Sequence, residues 1–364
     1  MTKLTFVSTR IPFPPDKDGF TENIFHIIQS LKDQYSVHIR YIFFGKQMGN
    51  WEENEFEKHV DELIFEIGYS KYLFPIFPFL INKYENSTPV LFCDFNSGYY
   101  QNVIGSDNKI LYAADSQAFY RSKRKDVFSK LLFFKFIIEE SFLYRKFKNI
   151  IFVSDLDVEY TKGRTNGRGI QIPIGYNLSR SFGSTTKKFD LVFSGNFNFF
   201  PNKEAAEFFL IEIFEDIKKL FPYIKVCFVG RNPSSLMKKY ANNFKLNIVV
   251  TGEVDKVEIY LAQSKIYFSP LLSGSGMKNK ILQAMASSLP IVCTIESLSG
   301  FLDYNRYSVI VSNTQLSLKS SLIEMLNKSD LELEKMGQSN REYINNNYSW
   351  SSIVKIHYSN IFNI

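Results

Sequence analysis

Short apolar runs rich in β-branched and aromatic residues recur along the chain, separated by stretches whose apolar positions fall three or four apart. Residues 4–9 form the first run, and it ends in the turn-rich Arg10-Ile-Pro-Phe-Pro-Pro-Asp-Lys-Asp-Gly19. Ile24, Phe25, Ile27, Ile28 and Leu31 then follow at helical spacing, predicting a helix over 22–31. Further strands are predicted at 37–44, 63–67, 90–94, 110–115, 150–154 and 170–174, with a long helical stretch over about 123–148. Beyond residue 188 the alternation is cleaner. Strands are predicted at 191–194, 225–229, 247–251, 266–269, 291–294 and 309–311, and helices at 203–220, 280–286 and 316–326. Strands alternating with helices predict βαβ units and parallel sheets. Residues 175–188 lack periodicity, are rich in Gly, Ser, Thr and Lys, and read as a linker. The expected class is α/β, with two doubly wound domains facing across a cleft and ligands at the carboxyl ends of the strands.

The length of 364 residues fits two such domains, and 45% apolar residues suffice for two cores. Cys93, Cys227 and Cys293 lie far apart inside apolar runs, a pattern of buried reduced thiols rather than disulfides or a metal site. The opening residues enter a strand at once without the charge-then-apolar order of a signal peptide. Every long apolar stretch is interrupted short of the ~18 residues a membrane span needs. These features lead to the expectation of a cytoplasmic protein, peripheral on the inner face of the plasma membrane if it touches lipid at all. A net charge of +6 is too small to imply nucleic acid as a partner.

The most informative stretch runs from Tyr267 to Val292. A buried strand ends at Ser269-Pro270, a loop with Gly274 and Gly276 follows, and a helix is predicted to start near Met277. Glycines let the backbone approach an anion, and free N–H groups at a helix start donate to it. Lys278 and Lys280 add positive charge at the same place. The Gly-x4-Gly-Lys-Ser/Thr spacing of a Walker loop is absent. With Leu282-Gln-Ala-Met-Ala286 and Pro290-Ile-Val292, the stretch resembles the C-terminal domain of group 1 glycosyltransferases, a retaining GT-B family. Phe193-Ser-Gly-Asn-Phe-Asn-Phe-Phe-Pro-Asn202, Phe228-Val-Gly-Arg231 and Val250-Thr-Gly-Glu253 extend the resemblance to three further strand ends. Pro12 to Gly19, Ile151-Phe-Val-Ser154, Ile172-Pro-Ile-Gly175 and Trp350 with the helix after it also fit.

The resemblance implies an acceptor-binding Rossmann-like domain over 1–178, with residues 349–364 crossing back to it, and a nucleotide-sugar domain over 189–348. It implies transfer from a UDP- or GDP-sugar to a glycan or lipid-linked acceptor in bacterial surface polysaccharide, with retention and without metal or other cofactor. An epimerase of nucleotide sugars and a silent nucleotide-sugar-binding subunit are the rival functions. The sequence departs from the family where two glutamates are usual: Ser275 and Gln283 stand there, and Gln283 still offers hydrogen bonds to ribose hydroxyls. Asn196 and Asn198 replace an expected Arg and Lys, which shifts the pyrophosphate onto Lys278, Lys280 and Arg231. The implied donor site comprises Gly19, Gly195, Asn196, Asn198, Arg231, Gly252, Ser273, Gly274, Ser275, Gly276, Met277, Lys278, Asn279, Lys280 and Gln283.

Lys280 is the first choice for a catalytic phosphate ligand, because a cation in a first helical turn opposes the macrodipole unless an anion sits there. Asp115, at a strand end, is the candidate for orienting the acceptor hydroxyl, with capping of the next segment as its plain alternative. Gly19 could equally serve a simple turn. Asp16-Lys-Asp18 and Asp155-Leu-Asp157 invite a metal reading, but an acidic residue in a first helical turn accounts for Asp155, and no metal is expected. The four dispersed histidines suit structural positions. Residues 121–148 carry nine basic residues against three acidic ones, interleaved with aromatic and aliphatic side chains. This basic, aromatic helix makes an anionic membrane surface a candidate partner. Its apolar positions spread too widely for one clean face, so a core role is combined with that reading. The aromatic stretch 72–80 is a second candidate.

Overall fold

The computed structural model describes residues 2–15, 17–46, 49–66, 68, 83–85, 88–122, 127–178, 186–273, 277–301, 309–312 and 315–364. The chain divides into two compact units, Met1–Gly175 with Trp350–Ile364, and Tyr176–Ser349.

In the first unit β1 (Thr2–Ser8), β2 (Val37–Phe44), β3 (Glu62–Glu66), β5 (Val90–Phe92), β7 (Lys109–Ala114), β8 (Asn149–Phe152) and β9 (Gly169–Gln171) form one sheet. Its order is β3-β2-β1-β5-β7-β8-β9 and every pairing is parallel. Strands buried on both faces require continuous apolar runs rather than alternation. Ile150, Ile151 and Phe152 answer this in β8, as Val90, Leu91 and Phe92 do in β5. A two-residue pair, β4 (Tyr84–Glu85) with β6 (Ile104–Gly105), stands beside the main sheet. The helices are α1 (Gly19–Gln34), α2 (Trp51–Glu57), α3 (Gln117–Ser122), α4 (Val127–Tyr144) and α5 (Asp155–Thr165). Asp18 caps α1 in a reciprocal box with Thr21, so the helix starts earlier than its apolar spacing indicates.

In the second unit β10 (Phe189–Ser194), β11 (Val226–Val229), β12 (Ile248–Val250), β13 (Ser264–Ser269), β14 (Ile291–Thr294) and β15 (Val309–Ser312) form a parallel sheet in the order β12-β11-β10-β13-β14-β15. The order reverses direction between β10 and β13, which makes the ends of those two strands the switch point of a Rossmann-like sheet. Its helices are α6 (Phe200–Phe208), a π turn (Phe209–Ile213), α7 (Phe214–Leu220), α8 (Ser235–Asn243), α9 (Val257–Ala262), α10 (Asn279–Ala286), α11 (Gln315–Leu326) and α12 (Asp330–Tyr348). The terminal segment, α13 (Trp350–Ile353), a π turn (Val354–Tyr358) and α14 (Ser359–Phe362), groups with the first unit. There Trp350 stacks on His26 with ring centroids 5.3 Å apart.

Two helix bounds are corrected, and the cap of α5 is assigned. The helix expected over 123–148 ends at Tyr144, where turns Lys146 N–H to Leu143 O and Phe147 N–H to Tyr144 O lead into β8. Residues 123–126 lie outside the described residues, as do 72–80 and 179–185 of the expected linker. The helix expected near Met277 starts at Asn279, with Lys278 as its N-cap. Capping of α5 falls to Ser154, whose hydroxyl accepts the Leu156 N–H, while Asp157 is buried and accepts the Ser116 N–H at 2.8 Å. All three cysteines are buried single thiols.

Candidate functional site

Parallel strands end together, so the loops after β10, β11, β12 and β13 share one edge of the second sheet. Three glycines knit them. Gly195 follows β10, and its N–H donates to Val229 O at 2.9 Å. Gly230 follows β11 with φ of 134°, and its N–H donates to Gly252 O at 3.1 Å. A Cβ on Gly230 would stand 2.1 Å from the Gly195 carbonyl oxygen, so only glycine lets these backbones pass. Asn196 closes the set: its side-chain oxygen accepts from Asn198 N–H at 3.1 Å and from the Asn232 amide at 3.2 Å. Arg231 is exposed at the same edge, and its carbonyl accepts the Phe197 N–H.

The β13 loop meets this group through Lys280. Lys280 lies in the first turn of α10, and its ammonium donates to the Asn202 side-chain oxygen. Asn202, near the start of α6, donates in turn to Asn196 O at 3.0 Å. The Lys280 Nζ also stands 5.0 Å from the centroid of the Phe193 ring, a cation–π contact. One lysine thus spans the switch point, from the first turn of α10 to the start of α6 and the end of β10. Burial, with a smaller push from the Lys278 charge, lowers its ammonium to about 7. The N-cap residue Lys278 makes no side-chain capping bond, and no acidic residue stands in the first turn of α10. The N–H groups there and two lysines point to an anion as the complement of this helix end.

The remaining expected residues fall as follows. Ser273 donates to Glu204 at 3.4 Å. Met277 is buried, and Asn279 is exposed at the start of α10. Gly274, Ser275 and Gly276 lie outside the described residues. Gln283 donates to the Glu258 carboxylate of α9 at 2.9 Å. The position where the family has a glutamate therefore keeps a carboxylate within hydrogen-bond reach, supplied by another helix.

In the first unit Gly19 opens α1, and a Cβ there would meet nothing within 4 Å, so its own fold does not demand glycine. Asp115 follows β7 immediately after Ala114, which holds a left-handed φ of 61°. Capping of α3 falls instead to Ser116, whose hydroxyl accepts the Phe119 N–H at 3.1 Å. A non-glycine residue with a left-handed φ at a strand end is a form of backbone strain that functional sites share. His26 stacks on Trp350 and His59 on Phe13, so both serve aromatic packing.

Spacing alone did not single out Asn202, Phe193, Gly230 or Glu258. Gly230 had a visible signal, since Val-Gly-Arg repeats the strand-then-glycine form of Phe193-Ser-Gly195 and Val250-Thr-Gly252. Asn202 and Glu258 had none, because their partners come from other βα units.

Residues 188–328 match the family model described as glycosyl transferases group 1. No curated protein matches the chain in sequence. Among solved structures it is similar to sucrose-phosphate synthase from Thermosynechococcus elongatus, at 13% identity and TM-score 0.66, with all of both chains covered. It is likewise similar to HepE of Anabaena in complex with UDP and glucose, at 8% identity and TM-score 0.64, again over all of both chains. WaaG, a glycosyltransferase involved in lipopolysaccharide biosynthesis, matches at 15% identity and TM-score 0.60, covering 100% of this chain and 99% of that one. The match to the group 1 model falls on the switch-point sheet, within a two-domain GT-B fold that the chain shares along its whole length with these structures.

Proposed function

We propose that the protein moves a sugar from a UDP- or GDP-sugar to a glycan or lipid-linked acceptor of bacterial surface polysaccharide, with retention of configuration. The observation that carries this reading is Lys280, held across the switch point by Asn202 at the start of a helix whose first turn holds no acidic residue. A nucleoside diphosphate leaving group gathers negative charge as the glycosidic bond breaks. Fixed cations and N–H dipoles there stabilise the transition state more than the ground state. Lys280 and Lys278 would take the pyrophosphate, with Arg231 beside them. Gln283 and Glu258 would take the ribose hydroxyls, one as an amide and the other as an acceptor. Asp115 would orient the acceptor hydroxyl. The HepE complex with UDP and glucose and the lipopolysaccharide role of WaaG support the donor and acceptor classes.

The test is purified protein with a panel of UDP- and GDP-sugars and a surface-glycan acceptor preparation. Release of free nucleoside diphosphate together with a glycosylated acceptor is the expected result. Epimerised donor without transfer, or donor binding without turnover, overturns it in favour of an epimerase or a silent binding subunit.

A further inference from the structure

Helix α4 is built with its polarity reversed. Its buried positions are Ser129, Glu140, Leu143 and Tyr144. Glu140 is fully buried, bonded to the Arg164 guanidinium at 3.1 Å, the Ser116 hydroxyl at 2.9 Å and the Ala118 N–H at 3.0 Å. The opposite side carries Val127, Phe128, Leu131, Phe134, Ile138 and Phe142, each between 62% and 74% exposed. At 3.6 residues per turn these six fall within an arc of roughly 120°, a continuous stripe about 22 Å long. Both faces of the helix are apolar or mixed, which is why the sequence pattern shows no single amphipathic side. A contiguous exposed stripe of this kind calls for an apolar partner.

Charge identifies the partner. Exposed Lys130, Arg145 and Lys146 border the stripe, with Lys135 half-buried beside it. The Lys146 ammonium lies 5.6 Å from the Phe142 ring and that of Lys135 5.7 Å from Phe136, stems along apolar surface and heads at its margin. Of the two acids on α4, Glu140 is buried and Glu139 pairs with Lys135. Apolar rows bordered by cations fit the boundary between acyl chains and anionic headgroups. Among the described residues no helix is long and apolar enough to cross a membrane, so the fit is to lying in the interface.

We propose that α4 is a monotopic membrane anchor whose exposed stripe inserts into the acyl boundary of an anionic bilayer while its lysines and Arg145 meet the headgroups. The anchoring goes beyond the transfer reaction and does not depend on it. Within the basic, aromatic stretch 121–148 it puts the lipid contact on the apolar stripe of α4, so binding has a salt-resistant part.

The test is co-sedimentation with vesicles of phosphatidylglycerol and phosphatidylethanolamine, and with neutral phosphatidylcholine vesicles. The protein should pellet with the anionic vesicles and only partly detach at high salt. The combined substitutions Leu131→Gln, Phe134→Gln and Ile138→Gln should lower partitioning by roughly tenfold or more. The thermal midpoint and turnover on a soluble acceptor should stay unchanged, since all three side chains are exposed. In a separate variant, Phe134→Trp should show a blue-shifted emission on adding anionic vesicles. Absence of binding to either vesicle, undiminished binding by the triple variant, or no emission shift overturns the proposal. So does a wild-type dimer in light scattering that the triple variant converts to monomer, which would assign the stripe to a second copy. Transfer measured apart from vesicles keeps this outcome separate from the fate of the proposed reaction.

Discussion

Lys280 is the residue where physical chemistry and the proposed reaction meet most directly. Its ammonium is pushed to about 7 in the ligand-free protein by burial and by Lys278. Across pH 7 to 10 the unfolded chain therefore holds a proton that the fold rejects, and stability rises with pH through that window. A bound diphosphate reverses the preference by pairing with the ammonium. Affinity for UDP or GDP is expected to fall as pH rises above about 7, with proton uptake on binding. Calorimetry in buffers of different ionisation enthalpy should detect that uptake in the native protein and not in Lys280→Ala. A pH-independent affinity from 6.5 to 9 would remove Lys280 from the phosphate site. Loss of the contact in Lys280→Ala should cost about 1.5–3 kcal/mol of transition-state stabilisation, read from kcat/KM. Gln283 tests the neighbouring contact. Gln283→Glu would replace the donated hydrogen bond with a second carboxylate beside Glu258, and the two like charges repel. Donor KM is expected to rise in this variant and to fall back in the double variant with Glu258→Gln, as steady-state kinetics would show. The sequence displayed Lys280 and Gln283 because their loop has a recognisable form. Asn202 and Glu258 stayed hidden, because an amide or carboxylate in an ordinary helix becomes a site neighbour only once strand order brings two distant βα units together.

At the scale of elements, backbone crowding separates glycines that the fold requires from those it merely tolerates. Gly337, inside α12, faces the Ser288 carbonyl, and a Cβ there would lie 1.9 Å from that oxygen. Ser288 itself holds a left-handed φ of 57°, so the turn after α10 has little room to yield. Gly337→Ala is expected to destabilise by at least about 2 kcal/mol through displacement of α12. Gly163, inside α5, is the opposite case, exposed and with nothing within 4 Å of an added Cβ. Gly163→Ala should stabilise by about 0.5–1 kcal/mol, from lower chain entropy in the unfolded state. Denaturant midpoints of the two variants should move in opposite directions, and a shared direction would refute the packing argument. Neither glycine differs from the other in sequence context alone. The end of α4 was illegible for a related reason, since 145–148 keeps helical composition but turns at Lys146 and Phe147, and Lys148 N–H then bonds to the distant Lys109 O at 2.8 Å.

Across the whole molecule, the class of fold could be read from composition of the strands. Parallel sheets covered on both faces need runs such as Ile150-Ile-Phe152 and Leu191-Val-Phe193, and such runs at βαβ spacing leave few other architectures. Strand order could not be read, because it rests on which crossover each helix makes. The same contrast governs the metal question. Asp-x-Asp strings look alike in sequence whether they hold a cation or build a helix. Here Asp18 caps α1 and pairs with Arg10, and Asp157 is committed to the Ser116 N–H. Those acids serve the frame of the first unit. The charge that a departing diphosphate develops would instead meet Lys278, Lys280 and the N–H groups opening α10, which supply fixed positive potential without a divalent ion. Turnover is therefore expected to be essentially unchanged after EDTA treatment and dialysis, and unchanged again when Mg or Mn is restored. Activity that collapses with the chelator and returns with the metal would mean that the lysines do not suffice, and that a cation shares the diphosphate with them.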